Sequence, residues 1–109
     1  MTERSMQSIL IVDDDFAMRR LSRAALSRSG FQVLEAEHGR AALETIRDNK
    51  TDVVLLDVDQ PILDGFATCA ELRRSPRDRY LPIIMMTDKD DMDSVNRAYE
   101  AGVLICAQY

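Results

Sequence analysis

A chain of 109 residues with 46% hydrophobic and 30% charged side chains is sized for one domain with a real core. It holds no apolar run near the ~18 residues a membrane span requires, which argues against membrane insertion. Its formal charge of −5, from 14 basic against 19 acidic residues, argues against a nucleic-acid-binding surface, because phosphate contacts need clustered Lys and Arg.

The opening "MTERSMQS" lacks the apolar stretch of a secretory signal, and residues 1–7 read as a tail. Cys69 and Cys106 form neither a metal spacing nor a disulfide framework, so buried free thiols in a reducing cytoplasm are expected. "SILIV" (8–12) is a short apolar strand ended by Asp13, Asp14 and Asp15. Residues 16–29 carry Met18, Leu21, Ala25 and Leu26 at the spacing of one helical face, with Asp15 able to cap the helix and Gly30 stopping it. "FQVLEAE" (31–37) reads as a second strand, and His38 lies in a polar loop with no partner in the sequence, which predicts a solvated side chain. Residues 39–49 are helical, with Ala42, Leu43 and Ile46 on the inner side.

The unbroken run "VVLL" (53–56) suits a strand buried on both faces, and it runs straight into Asp57. A turn-forming "DQP" follows, and Asp64 is placed to cap a third helix to about Arg74, with Phe66, Cys69, Ala70 and Leu72 as its apolar positions. After the connector "SPRDRYLP", "PIIMMT" (82–87) is a fourth strand, "DKDDMD" supplies caps for a helix over 92–101, Gly102 closes that helix, and "VLICAQY" (103–109) is a fifth strand. Strands alternating regularly with helices about ten residues long predict right-handed βαβ units in an α/β fold. The expected architecture is a doubly wound, five-stranded parallel sheet in a single domain over 1–109.

Three strands would end in chemistry: the first at Asp13 and Asp14, the third at Asp57, the fourth at Thr87. Ligands of open α/β sheets bind at the carboxyl ends of the strands, and in the order 2-1-3-4-5 the first and third strands are neighbours, so these acids would converge. Carboxylates about 4 Å apart repel by roughly 4 kcal/mol at an effective dielectric near 20, so such a cluster shifts its pKa values upward or recruits a cation. An all-oxygen donor set with room for water suits Mg²⁺.

In "ILIVDDD", "VVLLDVDQPILDG" and "PIIMMT", in this order and spacing, the sequence resembles the receiver domain of two-component response regulators, over about 9–102. The resemblance implies a CheY-like (flavodoxin-like) sheet and a signalling domain rather than an enzyme. It implies that Asp57 is the phosphoacceptor, attacking a phosphohistidine donor in line and becoming an aspartyl phosphate. It also implies that Asp14 binds Mg²⁺ directly and Asp13 mainly through water, with Asp57 and the backbone carbonyl of Asp59 completing the ligands. Thr87 would hydrogen-bond a phosphoryl oxygen and act as the switch. The implied partners are a histidine kinase or phosphotransfer protein and an output domain or effector. "MMTDKDDMDSVNRAYEAG" looks like receivers that precede cyclic-dinucleotide output domains.

The sequence departs from the family at its end, where Tyr109 falls at the position of the usual fifth-strand lysine and the fifth helix is missing. Cys106 stands where the family often has an aromatic switch residue, Asp88 where it has a small one, and Gln60 where it has methionine. An uncovered sheet face would favour a homodimer or segment exchange. Two other functions compete with the phosphoacceptor: a degenerate receiver that signals by contact alone, and a dehalogenase-like phosphatase using "LLDVDQ" with Asp57 as nucleophile and Asp59 as acid.

Overall fold

The computed structural model describes residues 7–58, 64–87 and 92–108. Nine elements alternate: β1 (Ser8–Val12), α1 (Phe16–Arg28), β2 (Gln32–Ala36), α2 (Gly39–Asp48), β3 (Val53–Asp57), α3 (Gly65–Arg74), β4 (Ile83–Thr87), α4 (Met92–Ala101) and β5 (Ile105–Gln108). All strand pairs are parallel, as expected from the alternating pattern, and the sheet order is β2-β1-β3-β4-β5, the order that the resemblance implies. The last strand is shorter than its apolar run, beginning at Ile105 after a buried Val103 and an exposed Leu104. Tyr109, expected at the position of the family's fifth-strand lysine, lies outside the described residues.

Side-chain alternation along the strands sorts residues to two faces. Leu10, Val12, Val54, Leu56, Ile83 and Met85 point to one face and form a continuous core with Ala42 and Ile46 of α2, Cys69 and Leu72 of α3, and Ala98 of α4. Cys69 is a buried thiol that donates to the carbonyl of Ala101 at 3.0 Å, and Cys106 is a half-buried one. On the opposite face α1 covers β1 and β2, burying Ile9 and Ile11. There Leu55, Ile84 and Met86 are only half-buried, and Ile105 is 47% exposed.

Two elements differ in detail from the sequence-based expectation. The apolar positions Met18 and Leu21 of α1 are exposed, and the one buried residue of that helix is Arg19. His38 is a capping residue rather than a solvated one: it is half-buried, and its Nδ1 accepts from the backbone N–H of Ala41 at 3.1 Å at the start of α2. Helix ends otherwise follow ordinary capping chemistry. Asp15 accepts from the N–H groups of Ala17 and Met18, Asp64 accepts from Ala67, and Gly30 and Gly102 adopt φ of +93° and +104° where α1 and α4 stop.

The start of α3 is packed directly on the end of β3. The Gly65 N–H donates to Val58 O at 3.1 Å, and a Cβ at Gly65 would lie 2.9 Å from both Asp57 O and Val58 Cα. Backbone cannot yield there as a flexible side chain could, so even one methyl must displace the helix start from the strand end. Gly65→Ala is expected to destabilise the fold by about 1–3 kcal/mol, the usual range for overpacking, read as a lower denaturant midpoint with an unchanged slope.

Candidate functional site

Register builds the site. Val12 of β1 lies beside Leu56 of β3, so the next residue on each strand, Asp13 and Asp57, leave the sheet side by side. Hydrogen bonds from Val58 N–H to Met86 O and from Asp13 N–H to Ala36 O, each 3.1 Å, hold the two strand ends to their outer neighbours. One carboxylate oxygen from each of Asp13, Asp14 and Asp57 lies within 4.8 Å of the others. Asp14 reaches this cluster from the exposed turn between β1 and α1.

The turn is rigid at Asp13. Its Oδ1 accepts from the Asp15 N–H at 2.9 Å, and its backbone carbonyl accepts from Arg19 Nη1 at 2.7 Å. Arg19 in turn donates through Nε to Glu35 Oε1 at 3.2 Å, and Arg23 and Arg20 face the other oxygen of Glu35. Burial alone would raise the Glu35 carboxyl, but hydrogen bonds from Arg23 and Arg19 outweigh it and hold the group below the ordinary glutamate range. Asp13 shifts the other way. Burial raises its pKa, the charges of Asp14 and Asp15 add to the rise, and the Asp15 N–H and Arg19 oppose it without cancelling it.

The donor set fits a small hard dication. Oxygens on opposite vertices of a Mg²⁺ octahedron are about 4.2 Å apart and adjacent ones about 3 Å, so three carboxylates within 4.8 Å need little adjustment to share one ion. Beside Asp57 a cavity of about 130 Å³ is lined by Ile11, Met18, Leu55 and Met86 on the α1 side of the sheet. A larger cavity of about 620 Å³, lined by residues that include Lys50, Asp52, Arg77 and Pro82, lies at the opposite ends of the strands and takes no part in this cluster.

Thr87 is buried at the carboxyl end of β4, one position beyond Met86, which is the register partner of Asp57. Four of the five expected site residues thus stand at the same edge of the sheet. Asp59, the fifth, lies outside the described residues, as do Gln60 and Asp88. Sequence reasoning missed Arg19, for which no local signal exists, since its partner Glu35 is 16 residues away on β2.

A sequence profile described as "Response regulator receiver domain" matches residues 9–106. The chain belongs to the receiver domain family of response regulators. This receiver is 42% identical over 94 residues to response regulator MprA of Mycolicibacterium vanbaalenii, covering 86% of the present chain and 40% of that protein. It is 36% identical over 97 residues to the transcriptional regulatory protein AfsQ1 of Streptomyces coelicolor, covering 89% of the chain and 42% of that protein. The receiver therefore spans about 40% of the length of the curated relatives it matches.

Among solved structures, chemotaxis protein CheY4 of Vibrio cholerae superposes with a TM-score of 0.89 at 26% identity, covering 96% of this chain and 86% of that one. The Mn(2+)-bound form of response regulator Rcp1 gives 0.83 at 26% identity, covering 94% and 79%. The expected CheY-like sheet is thus the observed one, with four helices among the described residues. No helix among the described residues is long and apolar enough to cross a membrane.

The raised Asp13 pKa has a stability consequence whose sign is fixed. A carboxyl with a folded pKa above its unfolded value binds its proton more tightly in the folded state, so stability falls as pH rises from below the unfolded value through the folded one. Asp13→Asn keeps the acceptor for Asp15 N–H and removes this penalty. Without divalent metal the variant is expected to melt above the parent at pH 7, and the gap should close at roughly pH 3, below the ordinary aspartate range. Thermal melts at the two pH values check both points.

Proposed function

We propose that Asp57 is the phosphoacceptor of a two-component phosphorelay, with Mg²⁺ held between Asp57 and the acid pair on β1. The observation that carries this reading is the meeting of Asp13, Asp14 and Asp57 within 4.8 Å at the carboxyl ends of two adjacent strands, in a chain of the receiver family. In this reading Asp14 is the direct ligand and Asp13 acts mainly through water. The carbonyl of Asp59 is the remaining protein ligand in this reading. The Mn(2+)-bound form of Rcp1, a structure of the same fold, supports divalent-metal binding in this reading.

In the transfer, a carboxylate oxygen of Asp57 forms a bond to phosphorus as the phosphorus–nitrogen bond to the donor imidazole breaks. The bonding electron pair returns to that nitrogen, and with the other ring nitrogen already protonated the donor leaves as neutral imidazole. When bound, Mg²⁺ supplies positive charge that offsets the charge on the phosphoryl oxygens and on the converging acids. Thr87 donates its hydroxyl to a phosphoryl oxygen, and its movement biases the surface around α4 between two arrangements, which turns a local charge into a changed partner surface.

The donor is a histidine kinase or a phosphotransfer protein, and the setting is the cytoplasm. The longer relatives imply an output domain or effector, and the transcriptional role in the name of AfsQ1 favours that class of output over cyclic-dinucleotide signalling. The exposed Leu104 and Ile105 do not by themselves identify a homodimer partner.

Intact mass after incubation with acetyl phosphate tests the assignment. The expected result is one phosphate adduct that requires Mg²⁺ and is lost in Asp57→Ala. A folded, Mg²⁺-binding protein that gains no adduct would instead be a degenerate receiver acting by protein contact alone, and turnover of a generic phosphomonoester would point to the phosphatase reading.

A further inference from the structure

Arg19 is the most buried cation of the molecule among the described residues, and it touches the acid cluster through backbone rather than through a carboxylate. Its residue exposure is 6%, yet it lies on α1, whose apolar residues Phe16, Met18 and Leu21 are left exposed. Burying a guanidinium is costly unless the charge is paired and its donors are used. Here Nε is spent on Glu35 and Nη1 on the carbonyl of Asp13, with Nη2 3.9 Å from Glu37. The planar fork serves both acceptors at once, which a lysine ammonium cannot do from one position.

The carbonyl of Asp13 belongs to the rigid peptide unit whose other end is the N–H and Cα of Asp14. Fixing that oxygen therefore fixes the plane from which both acidic side chains project. The same residue is held on its other side by its N–H to Ala36 O at 3.1 Å, and its side chain by the Asp15 N–H at 2.9 Å. Among the described residues, Arg19 supplies the one side-chain hydrogen bond to the peptide between the two acids.

We propose that Arg19 is a positioning residue for the metal site: its guanidinium, braced on Glu35, fixes the peptide between Asp13 and Asp14 and so aims both carboxylates toward Asp57. This rests on the reading of Asp13, Asp14 and Asp57 as a Mg²⁺ site. Charge alone works in the opposite direction, because removing a cation from the neighbourhood of an acid cluster favours binding of a dication. Positioning and electrostatics therefore make contrary forecasts for the same substitution.

The test is calorimetric titration of the full chain with Mg²⁺ at constant pH and ionic strength, for the parent, Arg19→Gln, Arg19→Lys and Arg23→Gln. Arg23→Gln removes a positive charge and a bond to Glu35 without touching Asp13. Arg19→Gln is expected to weaken Mg²⁺ about 10- to 100-fold, the usual cost of losing a partner that orients ligands, with Arg19→Lys in between and Arg23→Gln unchanged. Mg²⁺ binding by Arg19→Gln that equals or exceeds the parent's overturns the proposal, as does an equal loss in Arg23→Gln. If Arg19→Gln fails to fold by circular dichroism, Arg19→Lys decides, and parent-like affinity there overturns it. A parent that takes up no Mg²⁺ at millimolar concentration overturns the metal reading itself, a result distinct from the others.

Discussion

Parallel pairing of β1 with β3, in the register that sets Val12 beside Leu56, is the constraint from which the site follows. Neighbouring strands lie about 4.8 Å apart, so residues that continue two paired strands leave the sheet at nearly contact distance. In this chain those residues are Asp13 and Asp57. The pairing is made stable by apolar burial of Leu10, Val12, Val54 and Leu56, none more than 1% exposed, and not by anything the acids contribute. The hydrophobic core thus brings together like charges that repel, while the upward shift of Asp13 comes first from its burial, with the charges of Asp14 and Asp15 adding to it.

Around this point the molecule limits the ways the acids can move apart. Asp15 both caps α1 and donates its N–H to Asp13, so the helix start and the acidic turn share one residue. Gly65 lets α3 begin against the backbone of Asp57 and Val58, closer than any side chain would allow. The half-buried, apolar surroundings of Leu55 and Met86 lie on the α1 side of Asp57, whereas Asp14 faces water. One edge of the cluster is thereby lined by apolar side chains and the other open to solvent.

Much of this could be read from the sequence because it depends on local pattern. The apolar runs of β1, β3 and β4, the caps at Asp15 and Asp64, and the stops at Gly30 and Gly102 carry their signals within a few residues. The convergence of Asp13, Asp14 and Asp57 was legible only once the strand order was assumed. Other features were hidden because they join distant segments. Arg19 reaches Glu35 across from α1 to β2, and Arg73 at the end of α3 donates to the carbonyls of Gly102, Asp78 and Arg79. The capping role of His38 leaves no mark in the sequence, because a capping imidazole looks like any other polar loop residue until the helix after it is placed. The apolar periodicity of α1 marked a helix correctly but not which of its residues would be buried.

Asp13, Asp14 and Asp57, brought together where the two paired strands end, are proposed to form one divalent-metal site. Paramagnetic broadening of backbone amide resonances by substoichiometric Mn²⁺ tests it most directly. The expected result is broadening centred on Asp13, Asp14 and Asp57, extending to Asp15 and Val58, and fading toward residues 49–52 at the opposite end of the sheet. Broadening centred elsewhere, or none with the protein folded, would contradict it.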